Sequence, residues 1–479
     1  MTQYRPSFSR RTATAIAAAL LLAGCTVGPD FKRPAAPSAT TYLPSSEQAG
    51  ATVSTGTTAI RWWTAFGSPE LDQLVDRALA NNRSLAASDA TLARTQAQLA
   101  SVKGARLPQI DANARVDQQE TNFAAYGFPG SNPQFDLYSV GAGVSFDLDL
   151  FGRRRRQVEQ AAAKAEAQLR RTEAAHLSIA GQVVIQAITV AAINARIATA
   201  QALIRDDERN VTLTDRRRQG GEGTLVQVLT AQSQLAADRT ELPRLHQQLS
   251  EATHLLATLV GESPASFTPP QFDLSKLTLP ASIPVSLPSE LVHRRPDILQ
   301  AEADLHASTA AIGIATARLY PDITLGATIL QGAPSPLDVV KSQFRGYDIF
   351  AGLTAPIFHG GTLKADRAAA VQDARAADAT YQDTVLKAFQ QVADLLTALR
   401  HDQETLDSER QTIDVAGRAL ALSRRSFQVG NSGVIDVLDA QRVYQRALSS
   451  EVDAHARQYL DSARLFVATA GGWRGVPTD

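Results

Sequence analysis

Gln428–Gln441 reads QVGNSGVIDVLDAQ. Gly430, Asn431 and Gly433 let the backbone reverse, and a helix start follows that carries Asp436 and Asp439 on one face. Earlier in the chain, Gln219–Gln232 reads QGGEGTLVQVLTAQ, with identity at Gln219/Gln428, Gly221/Gly430, Val228/Val437, Leu229/Leu438, Ala231/Ala440 and Gln232/Gln441. Such an internal repeat decides the fold. In each copy a very long helical pattern enters the turn and another leaves it. The two copies differ in their carboxylates: Asp436 and Asp439 stand where the first copy has Gln227 and Thr230.

The segment from Arg153 to Arg218 holds no proline and a single glycine, Gly181. Roughly 66 helical residues at this rise are about 100 Å long, well beyond a globular helix and in the range of a coiled coil. On the second copy, Val385, Val392, Leu399, Leu406, Ile413 and Leu420 recur at heptad spacing, and the last helix continues it through Val434, Leu438, Gln441, Gln445 and Leu448. That period means helix packed on helix. Pro243 lies inside the returning helix of the first copy and marks a kink or a break.

Ahead of each long helix the period changes from helical to alternating. Ile110, Ala112, Ala114 and Val116 alternate with Asp111, Asn113, Arg115 and Asp117. Tyr138, Val140, Ala142, Val144, Phe146, Leu148 and Leu150 alternate with Ser139, Gly141, Gly143, Ser145, Asp147 and Asp149. The second copy repeats this at Ile323–Ile329 and at Tyr347–Ile357. These are strands with one apolar and one polar face, long enough to cross a bilayer when tilted. A helix over 69–104 precedes the first pair, and another from about Pro288 to Arg318 precedes the second.

The N-terminus has Arg5, Arg10 and Arg11, an apolar run over 12–23, and Leu22-Ala23-Gly24-Cys25. This is a signal peptide that ends in what resembles a bacterial lipobox, so Cys25 is expected to carry diacylglycerol and an N-acyl lipid. Thr26 rather than Asp follows it, which by resemblance to other bacterial lipoproteins favours the outer membrane. The expected segments are a signal peptide over 1–24, a lipidated tether over 25–62, a first repeat over 63–261 and a Pro-rich linker over 262–288. A second repeat over 289–473 and a tail over 474–479 complete the chain. The strand hairpins fall at 108–150 and 321–358, and the helical hairpins at 152–260 and 361–470. Beyond the signal no run of about 18 apolar residues is read, so a membrane span has to be made of strands.

Four strands with free edges and an apolar face cannot close a barrel alone, so several chains have to pool them. The reading is an α+β membrane protein: an oligomeric β-barrel with a wet lumen, continued by long helices. Net charge is −1, which gives no electrostatic case for nucleic acid. A lone cysteine excludes disulfides within the chain and a cysteine metal cluster. The eight histidines are scattered without metal-ligand spacing. No catalytic constellation or phosphate loop is read, so an enzyme is not expected.

The order of elements resembles TolC-like outer-membrane efflux factors, and finer matches resemble the NodT-like or OprM-like lipoprotein branch. Those matches are Cys25–Pro34 (CTVGPDFKRP), Leu287–Ile298 (LPSELVHRRPDI), Val437–Gln441 (VLDAQ) and Gly471-Gly472-Trp473. The resemblance implies a homotrimer with a 12-stranded barrel, four strands per chain, and a tunnel of coiled-coil helices. It also implies a periplasmic adaptor protein and an inner-membrane transporter of RND type as partners, with toxic small molecules as cargo. The same duct serving type I protein or glycolipid secretion remains an alternative, as does a non-conducting coiled-coil lipoprotein.

Identical tips converging on an axis would set Asp436 and Asp439 in carboxylate rings that attract cations and raise one another's pKa values. By resemblance these residues form a periplasmic gate. The plainer reading is that they complement the dipole of their helix. Phe427 and Ser432 stand where the family's latch has Tyr and Arg. By resemblance the tips Gly220, Gly221, Glu222, Gly223 and Gly430, Asn431, Ser432, Gly433 meet the adaptor. Arg153, Arg154, Arg155 and Arg156 are expected to meet lipid phosphates where a strand leaves the bilayer.

Overall fold

The computed structural model describes residues 26–35, 37–44, 53–56, 58–120, 122, 127, 134–280 and 282–470. The signal segment, Cys25, most of the 121–133 loop and the closing Gly471-Gly472-Trp473 lie outside the described residues. The described chain runs β1 (Val53–Thr55), α1 (Pro69–Asn81), α2 (Arg83–Gly104), β2 (Gln109–Glu120), β3 (Gln134–Asp147) and α3 (Arg153–Gln219). It continues with α4 (Leu225–Arg239), α5 (Glu241–Val260), β4 (Ile283–Val285), α6 (Pro288–Leu291) and α7 (Pro296–Ala317). The last elements are β5 (Asp322–Ala333), β6 (Arg345–Thr354), α8 (Thr362–Gln428) and α9 (Val434–Thr469). The two-copy programme is present, and α3 and α8 are each 67 residues long.

Three expected helices are interrupted, each for a local reason. The one expected over 69–104 breaks at Asn82, whose Oδ1 accepts from the amides of Ser84 (2.9 Å) and Leu85 (3.1 Å) while Nδ2 donates to Leu259 O (2.8 Å). Asn82 thus ends α1, caps α2 and ties both to α5. Pro243 falls in the first turn of α5, where its missing N–H costs nothing, and the break comes just before it at Thr240. In the second copy Pro296 opens α7, leaving α6 as a single turn.

One compact unit takes Met1–Pro34, Leu92–Gln168 and Ala301–Tyr381; the other takes Ala35–Thr91, Leu169–Gln300 and Gln382–Asp479. Each therefore draws on both sequence repeats. The first unit holds an antiparallel sheet ordered β2-β3-β5-β6. Edge strands β2 and β6 are exposed along nearly their whole length, on both faces. Ile110 is 77% exposed, Tyr347 81% and Ile349 75%, and no described element covers this apolar face.

Residues 26–34, read from the sequence as part of an extended tether, are irregular and docked on the first unit. Val27 N–H donates to Phe151 O (3.2 Å), Phe31 stacks on His306 (4.4 Å between centroids) and Arg33 pairs with Glu302 (2.7 Å). Gly28, at φ 93°, crosses Gly313 so closely that a Cβ would stand 2.5 Å from its Cα. Composition marked this segment as irregular, which it is, but did not show that it is docked.

The arginine cluster is paired within the chain. Arg156 is buried, with Asp30 and Glu159 each 2.7 Å from its guanidinium. Arg153 pairs with Asp147 (2.8 Å) and Asp322 (2.5 Å), Arg154 with Asp147 (3.2 Å), and Arg155 approaches Asp149 (3.9 Å). Asp149 also accepts from the amides of Arg154 (2.6 Å) and Arg155 (2.9 Å), two donors left free at the start of α3. The cluster locks the strand-to-helix junction with its own carboxylates, while Arg153, Arg154 and Arg155 stay partly exposed.

The second unit has an aromatic core in which Trp62 stacks on Phe466 (5.4 Å) and packs edge-on against Trp63 (6.0 Å) and Phe66 (6.4 Å). The stretch read as a linker is folded here: Phe267, Phe272, Leu274 and Leu277 are buried, and β4 pairs in parallel with β1. One helix, α3, contains an 18-residue stretch apolar enough to cross a bilayer, contrary to expectation. That stretch is 61% buried in the fold, with Ala180, Val183, Val184, Ala187 and Ile188 all inaccessible, as befits a core helix.

The LVHRRPD stretch acquires a physical role. Arg295 clamps Asp297 in a fork (3.1 and 2.7 Å), donates to Ala468 O (3.0 Å) in the last turn of α9, and reaches Gln391 on α8 (3.1 Å). Lysine keeps the charge but not the planar fork. Arg295→Lys is expected to lower stability by about 1.5–3 kcal/mol, read as a lower denaturation midpoint at unchanged denaturant slope.

Candidate gate at the helical tips

Both tips close in the same way. After α3, Gly221 takes φ 80° and Glu222 N–H donates to Arg217 O (2.8 Å). After α8, Gly430 takes φ 84° and Asn431 N–H donates to Ser426 O (2.9 Å). Only a residue without a Cβ enters that region freely, so the repeated glycines terminate both long helices. Gly220, Gly221 and Glu222 are exposed on one tip and Gly430 and Asn431 on the other; Gly223, Ser432 and Gly433 are half-buried.

The returning helices start alike but with different chemistry. Thr224 caps α4, and Gln227 Oε1 accepts from Thr224 N–H (3.0 Å), completing a capping box. At the equivalent place Asp436 Oδ2 accepts from Gly433 N–H (2.9 Å). The plainer reading of Asp436 therefore holds: a carboxylate in the first turn satisfies a free amide and complements the helix dipole. It also puts a fixed anion where the first tip has a neutral amide. Asp439, a turn further on, pairs with Arg442.

The burial of α9 shows which way these acids face. Val434, Val437, Leu438 and Gln441 are buried, whereas Ile435, Asp436, Asp439, Arg442 and Val443 are exposed. The inward set packs with Ala231, Leu420 and Phe427 in one cluster. The face carrying Asp436 and Asp439 consequently points away from the chain's own core.

The latch positions are filled differently from the family pattern. Phe427 lies beneath the guanidinium of Arg217, 4.1 Å from its ring centroid. This cation–π contact joins the end of α3 to the end of α8, one copy of the repeat to the other. The hydroxyl of Ser432 has no hydrogen-bond partner among the described residues.

Behind the tips lies a polar group that sequence reasoning missed. Gln441 Nε2 donates to Asp207 Oδ1 (2.8 Å), and its Oε1 accepts from Asn210 Nδ2 (2.7 Å) and, at 3.5 Å, from Arg424. Arg424 also reaches Asp206 (3.1 Å). The clue was present: Gln441 occupies a heptad seam position, and Asp207 lies between Ile204 and Val211 on an apolar stripe of α3. A polar residue in such a seam needs a partner.

The chain matches the family model for outer membrane efflux proteins over residues 74–262 and 287–471. It is 30% identical to the pyoverdine export outer membrane protein OpmQ of Pseudomonas aeruginosa over 472 residues, 97% of this chain and 98% of that one. Nodulation protein T of Rhizobium leguminosarum bv. viciae is 32% identical over 463 residues, 95% of this chain and 92% of its own length. Among solved structures, the outer-membrane channel OprN aligns with a TM-score of 0.87 at 28% identity, covering 94% of this chain and all of that one. The open state of the Neisseria gonorrhoeae channel MtrE aligns at 0.84 and 27% identity, covering 94% and 99%. By sequence and by fold, the chain belongs to the outer membrane efflux protein family.

Proposed function

We propose that this outer-membrane efflux channel, a passive conduit and not an enzyme, works as a homotrimer lipidated on Cys25. Its strands lie in the outer membrane and its long helices in the periplasm. The observation that carries the assembly is the open sheet, in which β2 pairs only with β3 and β6 only with β5, leaving their outer edges free, and whose apolar face no described element covers. In lipid an open edge is not tolerated, so β6 of one copy has to pair with β2 of the next until the barrel closes. Three copies give 12 strands, an interior wide enough for a water-filled passage.

The exposed backbone at Gly220–Gly223 and Gly430–Gly433 offers the adaptor a surface, and an inner-membrane transporter of RND type supplies the energy. Asp436 and Asp439 form the constriction at the tips. Relatives of comparable identity are named for pyoverdine export, antibiotic efflux and toluene efflux, which supports a conduit that leaves cargo selection to its partners. Cysteines placed one on β2 and one on β6 of a Cys25→Ser chain are expected to give a disulfide-linked ladder ending at three copies, in a protein that conducts across planar bilayers. A non-conducting protein without intermolecular links at either edge overturns the reading.

A further inference from the structure

We propose that the junction of α7 with β5 is a phospholipid site, in which Arg318 and Tyr320 hold the phosphate of one lipid from the leaflet nearest the periplasmic helices. β3, β5 and β6 end together there: Asp147 stands opposite Thr324, and Asp322 opposite Thr354. Because the strands lie in the outer membrane and the long helices in the periplasm, this end of the sheet is where lipid headgroups begin. A cavity of about 350 Å³ lies at that level, with Leu150, Phe151, Arg318, Tyr320, Ala355 and His359 in its wall. That volume is in the range of small-ligand sites.

The charges around the cavity single out Arg318. Asp149 and Asp322 also line it, and both are already matched. Arg153 pairs with Asp147 and Asp322, Arg154 with Asp147, and Arg155 approaches Asp149, so three arginines balance three carboxylates. Arg318 is left over. Its exposed guanidinium makes no ion pair or hydrogen bond among the described residues, and neither do the ring of His359 and the hydroxyl of Tyr320. A free guanidinium in a cleft at headgroup level suits a phosphate diester, a monoanion that accepts two parallel N–H bonds.

The apolar surroundings point to a lipid and not to a free anion. Tyr320 is 42% exposed and its ring stacks on Phe151 (4.7 Å between centroids), which holds the phenol in the cavity wall. Leu150 and Ala355 belong to the apolar faces of their strands, and close by in the chain Ile357 and Phe358 are 91% and 87% exposed. A tyrosine between apolar surface and a cation is the usual arrangement at a bilayer interface. Thr26, which follows Cys25, packs on Gly152, where a Cβ would stand 2.6 Å from its Cγ2. An acyl anchor carried one residue earlier would start from the same wall. The first copy has Arg106 at the matching junction, also without a carboxylate, but Arg106-Leu107-Pro108 lacks the tyrosine of Arg318-Leu319-Tyr320-Pro321.

Native mass spectrometry of the full-length protein, titrated with phosphatidylglycerol in detergent, tests this. The wild type is expected to retain one lipid per chain, and Arg318→Gln to bind it about tenfold or more weakly, since a hydrogen bond to a charged group is lost. Arg318→Lys, which keeps the charge without the planar fork, is expected to fall between the two. Arg106→Gln, at the junction without the tyrosine, is expected to keep the wild-type affinity. Glycerol 3-phosphate, a phosphate without acyl chains, is expected not to displace the lipid. The proposal rests on the strands lying in the membrane, which the conductance of the same preparations reports separately. A conducting channel that binds phosphatidylglycerol equally as wild type and as Arg318→Gln therefore overturns the lipid site alone. Equal losses in Arg106→Gln and Arg318→Gln reduce the effect to diffuse charge and overturn it too, as does displacement by glycerol 3-phosphate.

Discussion

Replacing Asp436 and Asp439 together with Ala is expected to raise the resting conductance of the channel several-fold and to abolish its block by divalent cations. Both side chains leave the face of α9 opposite the cluster that contains Val434, Val437 and Leu438, so neither is needed to pack the tip. Threefold repetition would turn each into a ring of like charges, a site that holds a divalent cation and resists opening while the cation is bound. The two are not equivalent. Asp439 has Arg442 beside it, which cancels much of its field, whereas Asp436 is bound to a neutral amide. The single Asp436 variant should therefore relieve more of the block than the single Asp439 variant.

Asp436→Asn separates gating from capping. The amide oxygen can still accept from Gly433 N–H, so the helix start survives, but the charge is gone. Relief of divalent block with unchanged thermal stability is the expected result. If Asp436 is only a cap, Asn leaves the block intact, and Ala costs about 0.5–2 kcal/mol of stability with no effect on cations.

The sequence made some of this legible, and what it missed has a common cause. Periodicity reports local spacing, so β2, β3, β5 and β6 and the two 67-residue helices could be read from it. The tip repeat was legible because positive-φ positions such as Gly221 and Gly430 demand a residue type. Contacts between segments distant in the chain leave no such trace. Nothing near Val27–Arg33 shows that Gly313, His306 and Glu302 await it, and nothing near Arg153–Arg156 reveals Asp322. At the candidate gate the acids were legible as residue types. Their outward direction was not, because it depends on which face of α9 finds Phe427 and Ala231. Absence of the family's Tyr and Arg was visible at Phe427 and Ser432, yet the replacement comes from Arg217 in the other copy.

That replacement gives the second large effect: Phe427→Ala is expected to destabilise the tips by about 3–5 kcal/mol and to leave the channel leaky. The ring is the largest apolar side chain of its cluster and is 7% exposed; truncating it opens a cavity between Leu420, Val434 and Leu438. Cavity and lost latch can be told apart. Phe427→Leu fills most of the volume but offers no π face, so it should retain most of the stability and lose only the coupling to Arg217. Arg217→Ala should have the same small effect, about 0.5–1 kcal/mol, since its guanidinium is partly solvated. In a double-mutant cycle the two should then be non-additive by that amount. A leak in Phe427→Leu and in Arg217→Ala alike, no greater when they are combined, identifies the stacked pair as the latch. Additive effects reduce Phe427 to core filling and leave closure to the carboxylates alone. The stacked pair makes one further distinction from a hydrogen-bonded latch: its strength depends on ring and charge, not on a donor angle. Phe427→Tyr should therefore stay closed without any new partner for its hydroxyl.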